Sequence, residues 1–222
     1  MRLNVIVPNV GNYLGRGKTY VTKILTGVRR YMPPDIDARY WVVTDDPDCV
    51  PDFATALEAP KGANGWWITL SIFKPGMLPP DERAVYFDLD MIPVGQLDFL
   101  RYDGPFLMSR DPIFANHVNS SVTMWTGGEA DRVWEIWVAA GMPKVEPRLG
   151  HPGGDQYWTE QVMGFANIVK LQDVFPGQVV SYKEECRPID GVPDGARMIM
   201  FHGIPRPHQL GGWVGDLWSR PC

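Results

Sequence analysis

The sequence predicts an α/β layered fold with a mostly parallel central sheet. Three observations carry that prediction. Apolar segments of strand length alternate with segments of helical periodicity, the pattern of strand–helix–strand units. The main strand candidates are continuously apolar rather than alternating, as strands covered on both faces are. Hydrophobic residues make up 45% of the 222-residue chain and charged residues 21%, which provides for a large core and excludes wholesale disorder.

In chain order, RLNVIVP (Arg2 to Pro8) reads as a buried first strand. TYVTKILTGVRRYM follows with Val21, Ile24, Leu25 and Val28 at helical spacing, and Pro33-Pro34 closes it. ARYWVVTDD is a second strand, and ERAVYFDLDMI (Glu82 to Ile92) is a third, apolar until its end. GPFLMSRD and SSVTMWT are two further strands. EADRVWEIWVAAG is a helix stopped by Gly141, and GDQYWTEQVMG is another helix. GQVVSYK and ARMIMFHG are late strands in a second half that is richer in Pro and Gly. With no long linker, repeat or low-complexity segment, one domain spans residues 1–222, divided into a first half over 1–110 and a more irregular second half over 111–222.

Bulk properties narrow the function. The net charge is −5 and no basic block stands out, so nucleic acid is not an expected partner. Three scattered cysteines, Cys49, Cys186 and Cys222, form neither a disulfide framework nor a zinc spacing, which fits a reducing compartment. MRLNVIVPNV has too short an apolar run for a signal peptide, and no segment approaches the ~20 apolar residues that span a bilayer. A soluble, cytoplasmic protein is expected. Nine tryptophans are many for this length, and some of them would serve as flat platforms for sugars or lipids.

VGNYLGRGKTYV (Val10 to Val21) has the look of a phosphate-binding P-loop, which would make the protein an NTPase. The spacing opposes this reading. The motif needs a glycine five residues before Gly17; Asn12 stands there, and Gly11 is one position too early.

Asp88 and Asp90 carry more weight. They end the third strand, and in open α/β sheets ligands gather at the carboxyl ends of strands. Residues i and i+2 of a strand share a face. Two close carboxylates repel unless a cation lies between them, and hard divalent cations take oxygen ligands. The alternative is that Asp88 caps a turn and Asp90 is merely exposed.

VYFDLDMIPVGQLDFL resembles the DxD segment of glycosyltransferases with the GT-A fold, in particular relatives of glycosyltransferase family 8. GWWITLSIF, VNSSVTMW, GGDQYW, PGQVVSYK and FHGIPRPH recur in the same order in a bacterial group of such proteins, so the resemblance covers nearly the whole chain. It implies a GT-A, Rossmann-like nucleotide-diphospho-sugar transferase fold. The implied activity is transfer of a sugar from a nucleotide-sugar donor, often a UDP-sugar, to an acceptor hydroxyl on a glycan, lipid-linked or small-molecule acceptor, with retention of anomeric configuration. The implied cofactor is Mn2+ or Mg2+, held by Asp88, Asp90 and His202 of FHG. Arg206 stands where relatives carry a phosphate-binding lysine, with His208 a weaker rival. Asn119, Ser120 and Ser121 match the segment along the donor sugar. Asp155 matches a residue that accepts from sugar hydroxyls, and Gln156 one that lies under the anomeric carbon.

On this reading the glycine loop lies near the nucleotide, Tyr13 stacks on the base and Lys18 faces solvent. One departure concerns the lysine that relatives place within the GWW segment. Thr69 stands there, and Lys74 is the candidate substitute for donor contact. Residues beyond about Met200 are expected to form a flap with little helix or strand character. Two rival readings are a P-loop-like NTPase and a catalytically silent sugar-binding module of the same fold.

Overall fold

The computed structural model describes residues 1–79, 81–148 and 150–220. Cys222 lies outside them; Cys49 and Cys186 are free and buried. The chain opens with β1 (Arg2–Asn9), α1 (Gly17–Arg30), β2 (Asp37–Thr44) and β3 (Thr55–Glu58). A 3-10 run (Gly65–Phe73) leads to β4 (Arg83–Phe87), β5 (Met91–Pro93), β6 (Leu107–Arg110) and β7 (Val118–Thr126). Then come α2 (Asp131–Ala139), α3 (Gly154–Met163), β8 (Val169–Lys170), α4 (Leu171–Val174), β9 (Val179–Ser181), β10 (Met198–Met200) and α5 (Gly212–Ser219).

Seven strands form the central sheet in the order β3-β2-β1-β4-β7-β6-β8. The pairs β3/β2, β2/β1, β1/β4 and β6/β8 are parallel, and β7 runs antiparallel to both β4 and β6. A smaller sheet, β5-β10-β9, lies beside it.

The continuous apolar strands have the predicted cause. Leu3, Val5, Val7, Val42, Val85 and Phe87 face one way and pack with Ile24, Leu25 and Val28 of α1. Ile6, Val43, Ala84 and Tyr86 face the other way and pack with Trp67, Ile68 and Leu70 of the 3-10 run and Trp134 and Trp137 of α2. Full burial of such a side chain contributes about 1.5–3 kcal/mol, so neither face is left to solvent. Several tryptophans are accounted for here: Trp67 and Trp137 stack with ring centroids 5.8 Å apart.

Two expectations are corrected. The third strand is not continuous. β4 stops at Phe87, Asp88–Asp90 form a turn, and β5 belongs to the smaller sheet, where Met91 pairs with Met200. The aspartates therefore do not share a strand face; they occupy the corner where the chain changes sheets. The segment beyond Met200 is also more regular than expected. It includes a 3-10 turn (Pro207–Gln209) and α5, whose Val214 is buried and whose neighbour Trp218 lies 4.8 Å from the Tyr20 ring.

Candidate active site

A cleft of about 540 Å³ opens where β1 and β4 end. At β1 the strand order reverses, with β2 on one side and β4 on the other, the usual position of a ligand crevice in a parallel sheet. The cleft is lined by Tyr13, Asp88, Asp90, Asn119, Ser120, Ser121, Asp155, Gln156, His202 and Arg206, contributed by five separate segments. Lys74 is the exception. It caps the end of the 3-10 run, exposed, and is not among the described residues that line the cleft, whereas Thr69 is.

The acidic turn is held from both sheets. The Asp88 backbone N–H donates to the Ser121 carbonyl at 3.0 Å. Its carboxylate accepts from the Tyr86 hydroxyl at 2.5 Å and from Ser121 Oγ at 2.7 Å. Tyr86 is two residues back along the strand, and burial pushes its hydroxyl well above the usual tyrosine range, so it stays a donor. Asp90 is buried and forms an ion pair with Arg206; Tyr13 Oη also donates to it at 3.2 Å. The Arg206 guanidinium lies 5.8 Å from the centre of the Tyr13 ring. Tyr13 in turn meets Tyr20 edge-on, and the Tyr20 hydroxyl contacts His208 Nδ1 at 2.5 Å. His208 is thus tied to helix α1. His202 follows β10, and its Nε2 lies 2.8 Å from Ser181 Oγ on the neighbouring β9. Burial first, and Lys183 second, hold His202 below the ordinary histidine range, so the imidazole is neutral at neutral pH.

The opposite wall is built by β7 and α3. Gly153 allows α3 to begin there: its φ is +64°, and a Cβ would lie 2.4 Å from the backbone nitrogen of Pro147. Asp155 in the first turn is buried, and its Oδ2 has no hydrogen-bond partner among the described residues. Burial, reinforced by the negative charge of Asp88, raises its carboxyl to about 7. Gln156 donates through Nε2 to Asp111 at 2.9 Å and accepts through Oε1 from Asn119 at 3.1 Å. Trp66, 60% exposed, stands over the α3 N-terminus at the rim.

The glycine loop is not a phosphate nest. The Gly11 N–H donates to both carboxylate oxygens of Asp45, Tyr13 N–H to Asn9 Oδ1, Gly15 N–H to the Asn12 carbonyl and Gly17 N–H to Asn12 Oδ1. The N–H groups of Gly11, Tyr13, Gly15 and Gly17 are thus already engaged by the protein itself rather than turned together toward a phosphate. Lys18 is exposed.

Asp111, Tyr86 and Ser181 were not singled out in the sequence. Asp111 had a readable signal: like Asp88, it directly follows a strand that ends in the cleft.

The donor set of Asp88, Asp90 and His202, two carboxylates and a neutral imidazole, suits manganese or magnesium, and all three line one cleft. Among the described residues, however, no group of three or more His, Cys, Asp or Glu is gathered closely enough to hold a metal ion. Asp90 faces Arg206, and His202 faces Ser181.

The fold is that of the GT-A glycosyltransferases. Glycosyltransferase GlyE of Streptococcus pneumoniae TIGR4 superposes with a TM-score of 0.68 at 12% identity, over 97% of this chain and 60% of GlyE. The galactosyltransferase LgtC, in complex with donor and acceptor sugar analogs, superposes with a TM-score of 0.64 at 12% identity, over 97% of this chain and 95% of LgtC. The chain therefore spans about 60% of the length of GlyE. At the level of sequence, no family model and no curated protein matches.

Proposed function

We propose that this chain is a glycosyltransferase that moves a sugar from a nucleotide-sugar donor, a UDP-sugar by the resemblance, to an acceptor hydroxyl. The observation that carries this reading is the composition of the cleft at the sheet's switch point. It brings Asp88, Asp90, Asp155, Gln156 and Arg206 into one cavity of about 540 Å³, within the range of small-molecule sites. Sugar recognition needs acceptors for hydroxyl groups, and the unpartnered Asp155 Oδ2 is such an acceptor. Asn119, Ser120 and Ser121 add small polar side chains along the same wall.

Asp88, Asp90 and His202 would hold manganese or magnesium, which supplies positive charge to a departing diphosphate. Arg206 supplies a second cation from this chain itself; its guanidinium is already aimed at the acidic turn. Tyr13, beside Arg206, offers a ring face to the nucleotide base. Gln156, under the donor sugar, fits the retaining course of the resemblance. The segment after Met200 carries His202 and Arg206 and would order further over a bound donor, excluding water that competes with the acceptor. LgtC was captured with an acceptor sugar analog, which supports a glycan acceptor here as well.

Thermal-shift measurements against nucleotide sugars, with and without manganese, test the proposal. A ligand at a hundred times its Kd stabilises the native state by about 2.7 kcal/mol, a readily measured rise in Tm. The largest rise should come from a UDP-sugar with manganese, accompanied by slow donor hydrolysis, and proton NMR of the transfer product should show the donor's α linkage retained. No shift and no hydrolysis with any nucleotide sugar would overturn the assignment, and a β product would overturn retention alone.

A further inference from the structure

A closed series of hydrogen bonds runs along the cleft wall opposite the acidic turn. The backbone N–H groups of Ile113 and Phe114 both donate to Asp111 Oδ1 at 2.8 Å. Gln156 Nε2 donates to Asp111 Oδ2 at 2.9 Å. Asn119 Nδ2 donates to Gln156 Oε1 at 3.1 Å. The Ser121 backbone N–H donates to Asn119 Oδ1 at 2.9 Å. Asp111 and Asn119 are buried, at 5% and 9% exposure, so water does not repair a mismatch there cheaply.

The polarity of the series follows from its two ends. Both are backbone N–H groups, which donate and cannot be turned round. A side-chain amide offers an oxygen at one side and an NH2 at the other, so it passes the donor direction along. An ionised carboxylate offers acceptors at both sides, so it reverses that direction. A series with a donor at each end is satisfied only if it contains an odd number of reversals. Asp111 is the single reversal, between the two amides and the first pair of N–H groups.

We propose that Asp111 is a positioning residue that fixes the orientation of the Gln156 amide, Oε1 toward Asn119 and Nε2 away from it. The role rests on the reading of Gln156 as the group beneath the donor sugar. With one hydrogen and one lone pair of the amide engaged, Gln156 presents its remaining N–H and remaining lone pair to the cleft in one fixed order. A reversed amide would present them in the opposite order to the developing charge at the sugar, and Asp111 prevents that reversal without touching the donor.

The parity rule sets the test. Asp111→Asn leaves a series of three amides between two donors, so one buried donor–donor contact persists in every arrangement. Its Tm should fall by roughly 3–8 °C, the scale of one unmet buried polar group in a chain of this size. Asp111→Asn combined with Gln156→Glu restores a single reversal at the middle position, and Tm should return to within about a third of that loss. Asp111→Asn combined with Asn119→Asp restores it at the far position, but with the Gln156 amide reversed. Here Tm should recover while kcat for donor hydrolysis with a nucleotide sugar and manganese stays at least tenfold down.

A purely structural role would return kcat together with Tm, and that result overturns the positioning role. Unchanged Tm in Asp111→Asn, or double variants that merely add their losses, overturns the series itself. If Asp111→Asn fails to fold, a folded double variant supports the rule and two unfolded doubles refute it. If the unaltered protein turns over no nucleotide sugar, the enzymatic reading fails, while the Tm pattern still decides whether Asp111 orients Gln156.

Discussion

The two walls of the cleft are held together by different physics. On the acidic-turn side, charge meets charge across separate elements. Asp90 is compensated by Arg206, which arrives from the C-terminal segment. On the α3 side, the order of donors and acceptors fixes the side chains, with the Asp111 carboxylate accepting from Gln156 and Gln156 accepting from Asn119. A charge pair tolerates exchange of one partner for another cation, so the first wall can trade Arg206 for a ligand. The second wall has no such freedom, because its donors and acceptors must alternate in order. The cleft thus combines an exchangeable wall with a fixed one, as a site must if it binds a polyanion on one side and orients a sugar on the other.

The sharpest way to break this comparison is to neutralise the exchangeable wall. Asp88→Asn and Asp90→Asn should each reduce metal-dependent donor turnover by a factor on the order of 1,000. The fold should persist, since Tyr86 and Ser121 still hold position 88 and Tyr13 still reaches position 90. Normal turnover of both variants at low manganese would remove the acidic turn from the mechanism.

The next effect concerns pH. The Asp155 carboxyl is raised from 3.8 to about 7 by burial and by Asp88. Between those values the fold retains a proton that the unfolded chain has released. Asp155 therefore favours the fold fully below about pH 4, and that contribution is lost as pH rises to 7, then stays level. One pKa unit is about 1.4 kcal/mol, so the ligand-free protein should lose on the order of a few kcal/mol across this window. Asp155→Asn should flatten the decline. A Tm series from pH 4.5 to 8 with the same slope in both proteins would show that the carboxyl titrates normally.

Arg206→Ala sharpens the comparison further. It leaves Asp90, with 5% of its side chain exposed, facing the Tyr13 hydroxyl as its side-chain partner among the described residues. Because Arg206 is itself partly exposed, the loss should be about 2 kcal/mol rather than the larger figure for a fully buried pair. Manganese should raise the Tm of this variant more than that of the unaltered protein. Equal rises would mean that Arg206 and the metal do not share a site.

The smallest effect is expected at Lys18. Lys18→Ala should change donor affinity less than about twofold, because surface substitutions away from special features are usually within about 0.5 kcal/mol. Loss of nucleotide binding in that variant alone would restore the P-loop reading.

Much of the fold was readable because periodicity and burial agree. The helix over Gly17–Arg30 buries Val21, Ile24, Leu25 and Val28, the four positions its spacing singled out. The run Gly65–Phe73 gave no such signal. Seven of its nine residues are buried, and an element apolar all round carries no period to read. Helix α5 was hidden by its glycines. In the site, the DxD string located Asp88 and Asp90 in the cleft, but their sharing of a strand face depended on an unbroken strand, and the chain turns at Asp88. Asp111 and Gln156 lie 45 positions apart, and no local pattern links them. Only the antiparallel pairing of β6 with β7 and the packing of α3 bring them together.

The change of sheets at Asp88–Asp90 has a mechanical consequence. Asp88 stands at the end of β4 and is tied to β7, so it belongs to the large sheet. Asp90 leads directly into β5, and β5 pairs with β10, whose chain continues into His202 and Arg206. Three of the four groups proposed to meet the diphosphate and its metal therefore ride on the small sheet, and one rides on the large sheet. The small sheet is itself clamped, because Met91, Val179, Met198 and Met200 share one buried core with α1 and the large sheet, so Asp90, His202 and Arg206 are held together as one jaw of a vice set against Asp88 and the sugar-facing wall. The width of the gap between the jaws, and so the size of ion and phosphate that fits it, is set by the packing of that shared core.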